Sequence, residues 1–155
     1  MAGHLVGVIS DTHGLIRPEA IRELAGVELI VHAGDVGAPE VLERLRAIAP
    51  VVAVRGNNDR DAWAASLSDT EVVQVGPACL YVLHDLNELD LDPAAAGFHA
   101  VIAGHSHRPR VEERSGVLFL NPGSAGPRRF TLPIALARLS LRDGKLDARI
   151  IELAG

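Results

Sequence analysis

Apolar runs alternate with polar loops along the whole chain, and the spacing inside the runs changes part-way. Residues 4–10 form a β-branched apolar run that stops at Asp11, which predicts a buried strand. Residues 18–24 open on Pro18 and carry Ile21 and Leu24 on one face, as a helix does. A second apolar strand is predicted over 28–32 and ends at Ala33-Gly34-Asp35. Pro39 opens a second helix, with Val41, Leu42, Leu45 and Ile48 at helical spacing. A third strand over 50–54 ends at Gly56-Asn57-Asn58-Asp59. This β-α-β-α-β order predicts parallel strands joined by crossover helices.

Further on the pattern turns to strands. Residues 70–75 and 78–83 read as a pair joined by Gly76-Pro77, and 92–97 as a short helix. Residues 99–103 form another strand, ended by Gly104. Hairpins are predicted across Ser115-Gly116 and across Asp143-Gly144, the second joining 132–141 to 145–153. The expected class is α/β, with two packed sheets and helices outside them.

Composition narrows the function. Apolar residues are 48% of the 155-residue chain and charged residues 23%, which excludes a disordered chain. One domain spanning 1–155 is expected, long enough to bury a core. Fifteen basic against twenty acidic residues leave a formal charge of -5, so extended nucleic acid is not an expected partner. The single Cys79 excludes a disulfide framework or a Cys-rich zinc module, and a core position is expected for it. Against that one cysteine stand seven histidines, so a bound metal would be held by nitrogen and oxygen. No apolar stretch reaches about 18 residues, and no basic-flanked leader is visible, so no membrane association is expected. The cytoplasm is the expected compartment, and a homo-oligomer is compatible with the sequence.

The chemistry collects where the strands stop. Asp11 and His13, Asp35, Asn57, His84, and His105 with His107 each follow an apolar run. Beyond the carboxyl ends of strands is where open α/β sheets bind ligands. Taken singly, Asp11-Thr12-His13 and Gly34-Asp35 read better as capping or turn loops, and His84 equally well as a core histidine. Gly104-His105-Ser106-His107 is sharper, because two histidines at i, i+2 after a buried strand have no packing purpose.

The ordered series D-x-H, G-D, G-N-x-D, H, G-H-x-H, followed by Asn121-Pro122-Gly123-Ser124, resembles the calcineurin-like metallophosphoesterases. It is most similar to their small single-domain bacterial phosphodiesterases. The resemblance implies a two-sheet β-sandwich flanked by helices, with two metal ions at one rim. Asp11, His13, Asp35 and His107 would hold the first ion, and Asp35, Asn57, His84 and His105 the second. Mn2+ is the expected ion, and Ni2+, Zn2+, Fe2+ and Co2+ suit the same donors. Two divalent ions against two carboxylates leave about two positive charges, which suits a phosphate ester. The implied reaction is hydrolysis of a small phosphodiester by a hydroxide bridging the metals. Asp35, Asn57, Asn58 and His84 are the expected catalytic set.

Three positions depart from the family pattern. Asn58 stands where larger members have His and small ones often Cys, and an amide is no general acid. Asp85 stands where Gly is usual, and Ser106 where Thr is frequent. Asp59 is a candidate to orient the Asn57 loop. Arg108, Arg110, Arg128 and Arg129 read equally as phosphate contacts or solvated charges, and Trp63 as a lid or a packing residue. His4, His32 and His99 fit no slot of the pattern. The competing functions are a non-catalytic scaffold of the same fold, a phosphomonoesterase and a nuclease.

Overall fold

The computed structural model describes residues 3–153. Strand β1 (His4–Ile9) is followed by helix α1 (Pro18–Glu23), β2 (Leu29–His32), α2 (Pro39–Arg46) and β3 (Val51–Ala53). The strands β1, β2 and β3 pair in parallel, as the β-α-β-α-β pattern required. Both helices carry Pro in their first turn, where a missing N–H costs nothing. Six and eight residues are too few for a helix to persist alone in water. Packing holds them: Ala20, Leu24, Val41, Leu42 and Leu45 are buried against Ile9 and Ile30 of the sheet. A fully buried leucine contributes about 1.5–3 kcal/mol.

The remaining strands are β4 (Thr70–Val75), β5 (Ala78–Leu83), β6 (Ala100–Ile102), β7 (Arg110–Arg114), β8 (Val117–Asn121), β9 (Ala135–Arg142) and β10 (Lys145–Glu152). Two five-stranded sheets result, ordered β10-β9-β1-β2-β3 and β4-β5-β6-β8-β7. The hairpins β7–β8 and β9–β10 turn at the expected dipeptides. Both residues of each turn have positive φ, which matches the twist of the flanking strands. The sheets face one another across Val6, Val8, Val31, Leu80, Val82, Ile102, Leu120 and Leu139, all buried.

The outer faces differ. Helices α1 and α2 cover the first sheet. The second is covered by the 85–98 connection, which lays Leu86, Leu89, Leu91 and Phe98 on Tyr81, Leu83 and Val101. The helix expected over 92–97 is a run of turns, with Ala96 N–H donating to Asp92 O at 2.9 Å. Five residues before Gly97 do not repay the cost of nucleating a helix. Cys79 is half-buried rather than in the core. No helix among the described residues is long and apolar enough to cross a membrane.

Candidate metal centre

The loops after β1 and β2 continue to pair beyond the strand ends. Asp11 N–H donates to Gly34 O at 3.0 Å, His13 N–H to Asp35 O at 3.0 Å and Gly14 N–H to Val36 O at 2.8 Å. In the second sheet, Gly104 N–H donates to His84 O at 2.9 Å just past the ends of β5 and β6. The four loops therefore meet at one rim of the sandwich.

Their backbones are strained. Asp11 (φ 55°), His13 (48°), Asp35 (55°), His105 (71°) and His107 (62°) are all left-handed. That conformation costs an L-residue about 1–2 kcal/mol, and it persists only where neighbours enforce it. Here it turns five metal-competent side chains into one space. Two glycines make room for them. A Cβ on Gly34 would lie 2.6 Å from His84 Nδ1, and one on Gly104 would lie 2.7 Å from Asp11 Oδ2.

Asp11, Asp35, His84 and His107 are buried, and His13 is half-buried. Asp11 Oδ1 lies 3.4 Å from His107 Nε2 and 3.9 Å from both His13 Nε2 and His84 Nε2. Asp35 Oδ2 lies 3.3 Å from His84 Nε2 and 3.9 Å from His13 Nε2. His13 Nε2 and His107 Nε2 face each other at 3.5 Å. Two triads result, Asp11–His13–His107 and Asp11–Asp35–His84, each with ligand atoms within 4.8 Å of one another. They share Asp11, while Asp35 reaches a histidine of each through one oxygen. Asn57 and His105 lie outside both triads. They are exposed at the mouth, with His105 Nδ1 3.3 Å from Asn57 Oδ1.

Hydrogen bonding explains why these atoms point inward. His84 Nδ1 meets Ala33 O at 2.7 Å and so carries its proton there, which leaves Nε2 as the free donor atom. The approach of Nε2 to Asp35 is too poorly aligned for a hydrogen bond, so the atom is buried without a partner. Asp11 Oδ1 and His107 Nδ1 are likewise buried and unsatisfied. Orphaned buried polar atoms are costly, and two of them, Asp11 Oδ1 and His84 Nε2, lie 3.9 Å apart, as ligands of one cation would. The other Asp11 oxygen accepts Ser10 Oγ–H at 2.7 Å and His105 N–H at 3.1 Å. Asn58 donates to Asp35 twice, from its backbone at 2.9 Å and its amide at 3.2 Å.

Protonation follows the charges. Burial pushes the Asp35 carboxyl upward, but His84 and the Asn58 N–H outweigh it and hold it at about 2. Asp11 also stays below the ordinary carboxylate range, because His107, His84 and Ser10 overcome its burial. Burial alone would depress His84, yet Asp35, Asp11 and the Ala33 carbonyl raise it to about 9. Without a cation, a proton on His84 offsets one of the two buried carboxylate charges.

The sequence flagged Ser124 only as part of its motif, and gave no role to Ser10 or His32. Ser124 Oγ–H donates to Asp11 O at 3.0 Å. His32 is wholly buried beneath the site, 3.0 Å from Thr12 Oγ1, and accepts Gly34 N–H at 3.1 Å. Burial pushes it down to about 4, so it is a neutral prop for both loops. A polar residue at the end of a buried run was the available signal for Ser10 and His32. Asp59 accepts three backbone N–H groups, from Val36, Gly37 and Gly56, and staples the second and third loops together. Trp63 packs against the helix-side core. His4 meets Glu28 at 3.0 Å, and His99 accepts Cys79 N–H. Arg110 is paired with Glu112, while Arg108, Arg128 and Arg129 are exposed.

Residues 5–144 match the model of the calcineurin-like phosphoesterase superfamily domain. The chain belongs to that superfamily. A probable metallophosphoesterase of Methanothermobacter thermautotrophicus is 38% identical, over 96% of this chain and 92% of its own. A solved structure described as a novel archaeal phosphodiesterase superposes with a TM-score of 0.81 at 25% identity, covering 96% of this chain and 99% of its own. Vacuolar Protein Sorting 29 from Cryptosporidium parvum shares the fold at 24% identity and a TM-score of 0.76, covering 99% of both chains. The calcineurin-like fold is thus common to this chain and to a sorting protein. Membership in this metal-dependent family supports a phosphoesterase activity, with candidate metal ligands at the rim.

Proposed function

We propose that this calcineurin-like protein hydrolyses small phosphodiesters at a two-metal centre. Asp11, His13, Asp35 and His107 would hold one ion and Asp35, Asn57, His84 and His105 the other, with Mn2+ the expected metal. Such ions supply positive charge to a phosphate ester and acidify a water. The observation that carries this reading is the convergence of orphaned Asp11 Oδ1 and His84 Nε2 on one buried point. Unsatisfied polar atoms each destabilise the fold by about 1–3 kcal/mol, a cost that a bound cation removes. The 38% identity to a probable metallophosphoesterase favours hydrolysis over a scaffold role.

The chain's own residues do the positioning. Ser10 and the His105 N–H fix one oxygen of Asp11 and leave the other free. Ala33 O fixes the His84 tautomer. Asn58 fixes Asp35, so its amide is engaged there and offers no proton to a leaving group. Esters whose leaving group needs no protonation are therefore favoured. The test is turnover of a bis-aryl phosphate with Mn2+ added, beside Asp35→Ala and beside an alkyl phosphodiester. Activity in the natural chain, its loss in the variant and a slower alkyl ester are expected. Equal aryl and alkyl rates would remove Asn58 from the account, and an inactive metal-loaded chain would favour the scaffold.

A further inference from the structure

A cavity of about 260 Å³ opens on the outer face of the second sheet and shares His105 and Asp85 as a wall with the metal centre. Its floor is apolar, built by Leu86, Val101, Ala103 and Phe119, and its rim carries Ser106, Arg108 and Arg114. Apolar floor with few polar groups at one edge is the make-up of a small-ligand site. The volume is below the ~300–1,000 Å³ of drug-sized sites, so it takes one ring system and not an oligomer.

The charges define what that ring is attached to. Arg110 and Arg114 are both paired with Glu112, at 2.6 and 3.1 Å. Arg114 also lies over the Phe119 ring, 4.5 Å from its centroid. That pair makes a flat cation–aromatic platform, held in place by a carboxylate. Arg108 has no acidic partner among the described residues, and its planar fork of donors is free. Asp85 at the wall, 3.7 Å from His105 Nε2, opposes a second phosphate in the same space. A planar heterocycle with ring acceptors satisfies all of this: it stacks on the platform and accepts from Arg108.

We propose that this cavity binds a nucleobase-type ring on one arm of the phosphodiester whose phosphate lies at the metal centre. The assignment rests on the phosphoesterase reading of that centre. Binding separates the two. Adenosine 5′-monophosphate, ribose 5-phosphate and inorganic phosphate are titrated calorimetrically into the Mn2+-loaded full chain and its Arg108→Ala and Arg114→Ala variants, both exposed positions. The expected result is that the nucleotide binds at least tenfold more tightly than ribose 5-phosphate, and that the variants lose this margin while inorganic phosphate binds as before. Equal affinities for the nucleotide and ribose 5-phosphate, or a margin that survives both substitutions, would overturn the subsite even if diester hydrolysis is intact. Absence of phosphate binding together with absent turnover would instead strike the metal-centre reading, and with it the subsite.

Discussion

Left-handed backbone occurs at both ends of this sandwich, for different reasons. At Ser115 and Asp143 it serves two-residue hairpin turns, and the next residue is glycine. The strain there is local and is relieved by turn chemistry. At the metal rim five residues take the same conformation, and all are Asp or His. Of these only His13 sits in such a turn, before Gly14 and closed by Leu15 N–H on Thr12 O, and the other four are not followed by glycine. Cross-loop bonds such as Asp11 N–H to Gly34 O enforce it, and its product is the direction of a side chain. One end spends strain on connection and the other on chemistry.

The sharpest way to break this contrast is at Asp11. Asp11→Asn keeps the shape but removes the charge both triads share. Phosphodiester turnover is expected to fall about 10³-fold, since a metal supplies several kcal/mol of transition-state stabilisation. The metal-free variant is expected to melt lower than the natural chain, because His107, His84 and Ser10 favour the charged Asp11 in the folded state. A variant that still turns over normally would remove Asp11 from the centre.

Acidity separates the rim from its support. In the metal-free protein, His84 is raised to about 9, so it contributes stability below its unfolded value that is lost as pH rises through 9. His32 is lowered to about 4, so the unfolded chain takes up a proton the folded one refuses, and stability falls as pH drops from neutrality toward 4. Each limb is worth at most roughly 3 kcal/mol. Melting curves against pH in chelator are expected to lose the alkaline limb in His84→Asn and the acid limb in His32→Asn. Limbs that persist would refute these assignments.

Two backbone substitutions sharpen the comparison further. Gly34→Ala forces a Cβ onto His84 at a φ of 101°, and a loss of about 1–3 kcal/mol with a falling metal affinity is expected. Asp143→Gly at the far hairpin is expected to change stability by less than about 0.5 kcal/mol and turnover not at all. Similar effects at the two sites, in melting and in kinetics, would erase the distinction between the two ends.

The same contrast explains what was legible in the sequence. Strands, crossovers and hairpins follow from period and turn residues, so the parallel half and the Asp143-Gly144 turn could be read directly. All seven candidate ligands lie at strand ends, where an apolar run meets a polar residue. The supports were harder. Ser10 and His32 act through partners in other loops, and no local pattern encodes a bond between Ser124 and the Asp11 carbonyl. The 92–97 stretch misled because a capped alanine run looks helical, while its length and the sheet beneath it decide otherwise. Asn58 was read by what it lacks, and its contacts add what it holds.

The most direct measurement is calorimetric titration of Mn2+ into the chelator-stripped full chain, with the melting temperature followed alongside. The account expects two ions per chain, a rise in stability of about 2.7 kcal/mol per site at a hundredfold excess over its dissociation constant, and loss of binding in Asp11→Asn. No heat, no stabilisation and no difference between natural chain and variant would contradict it.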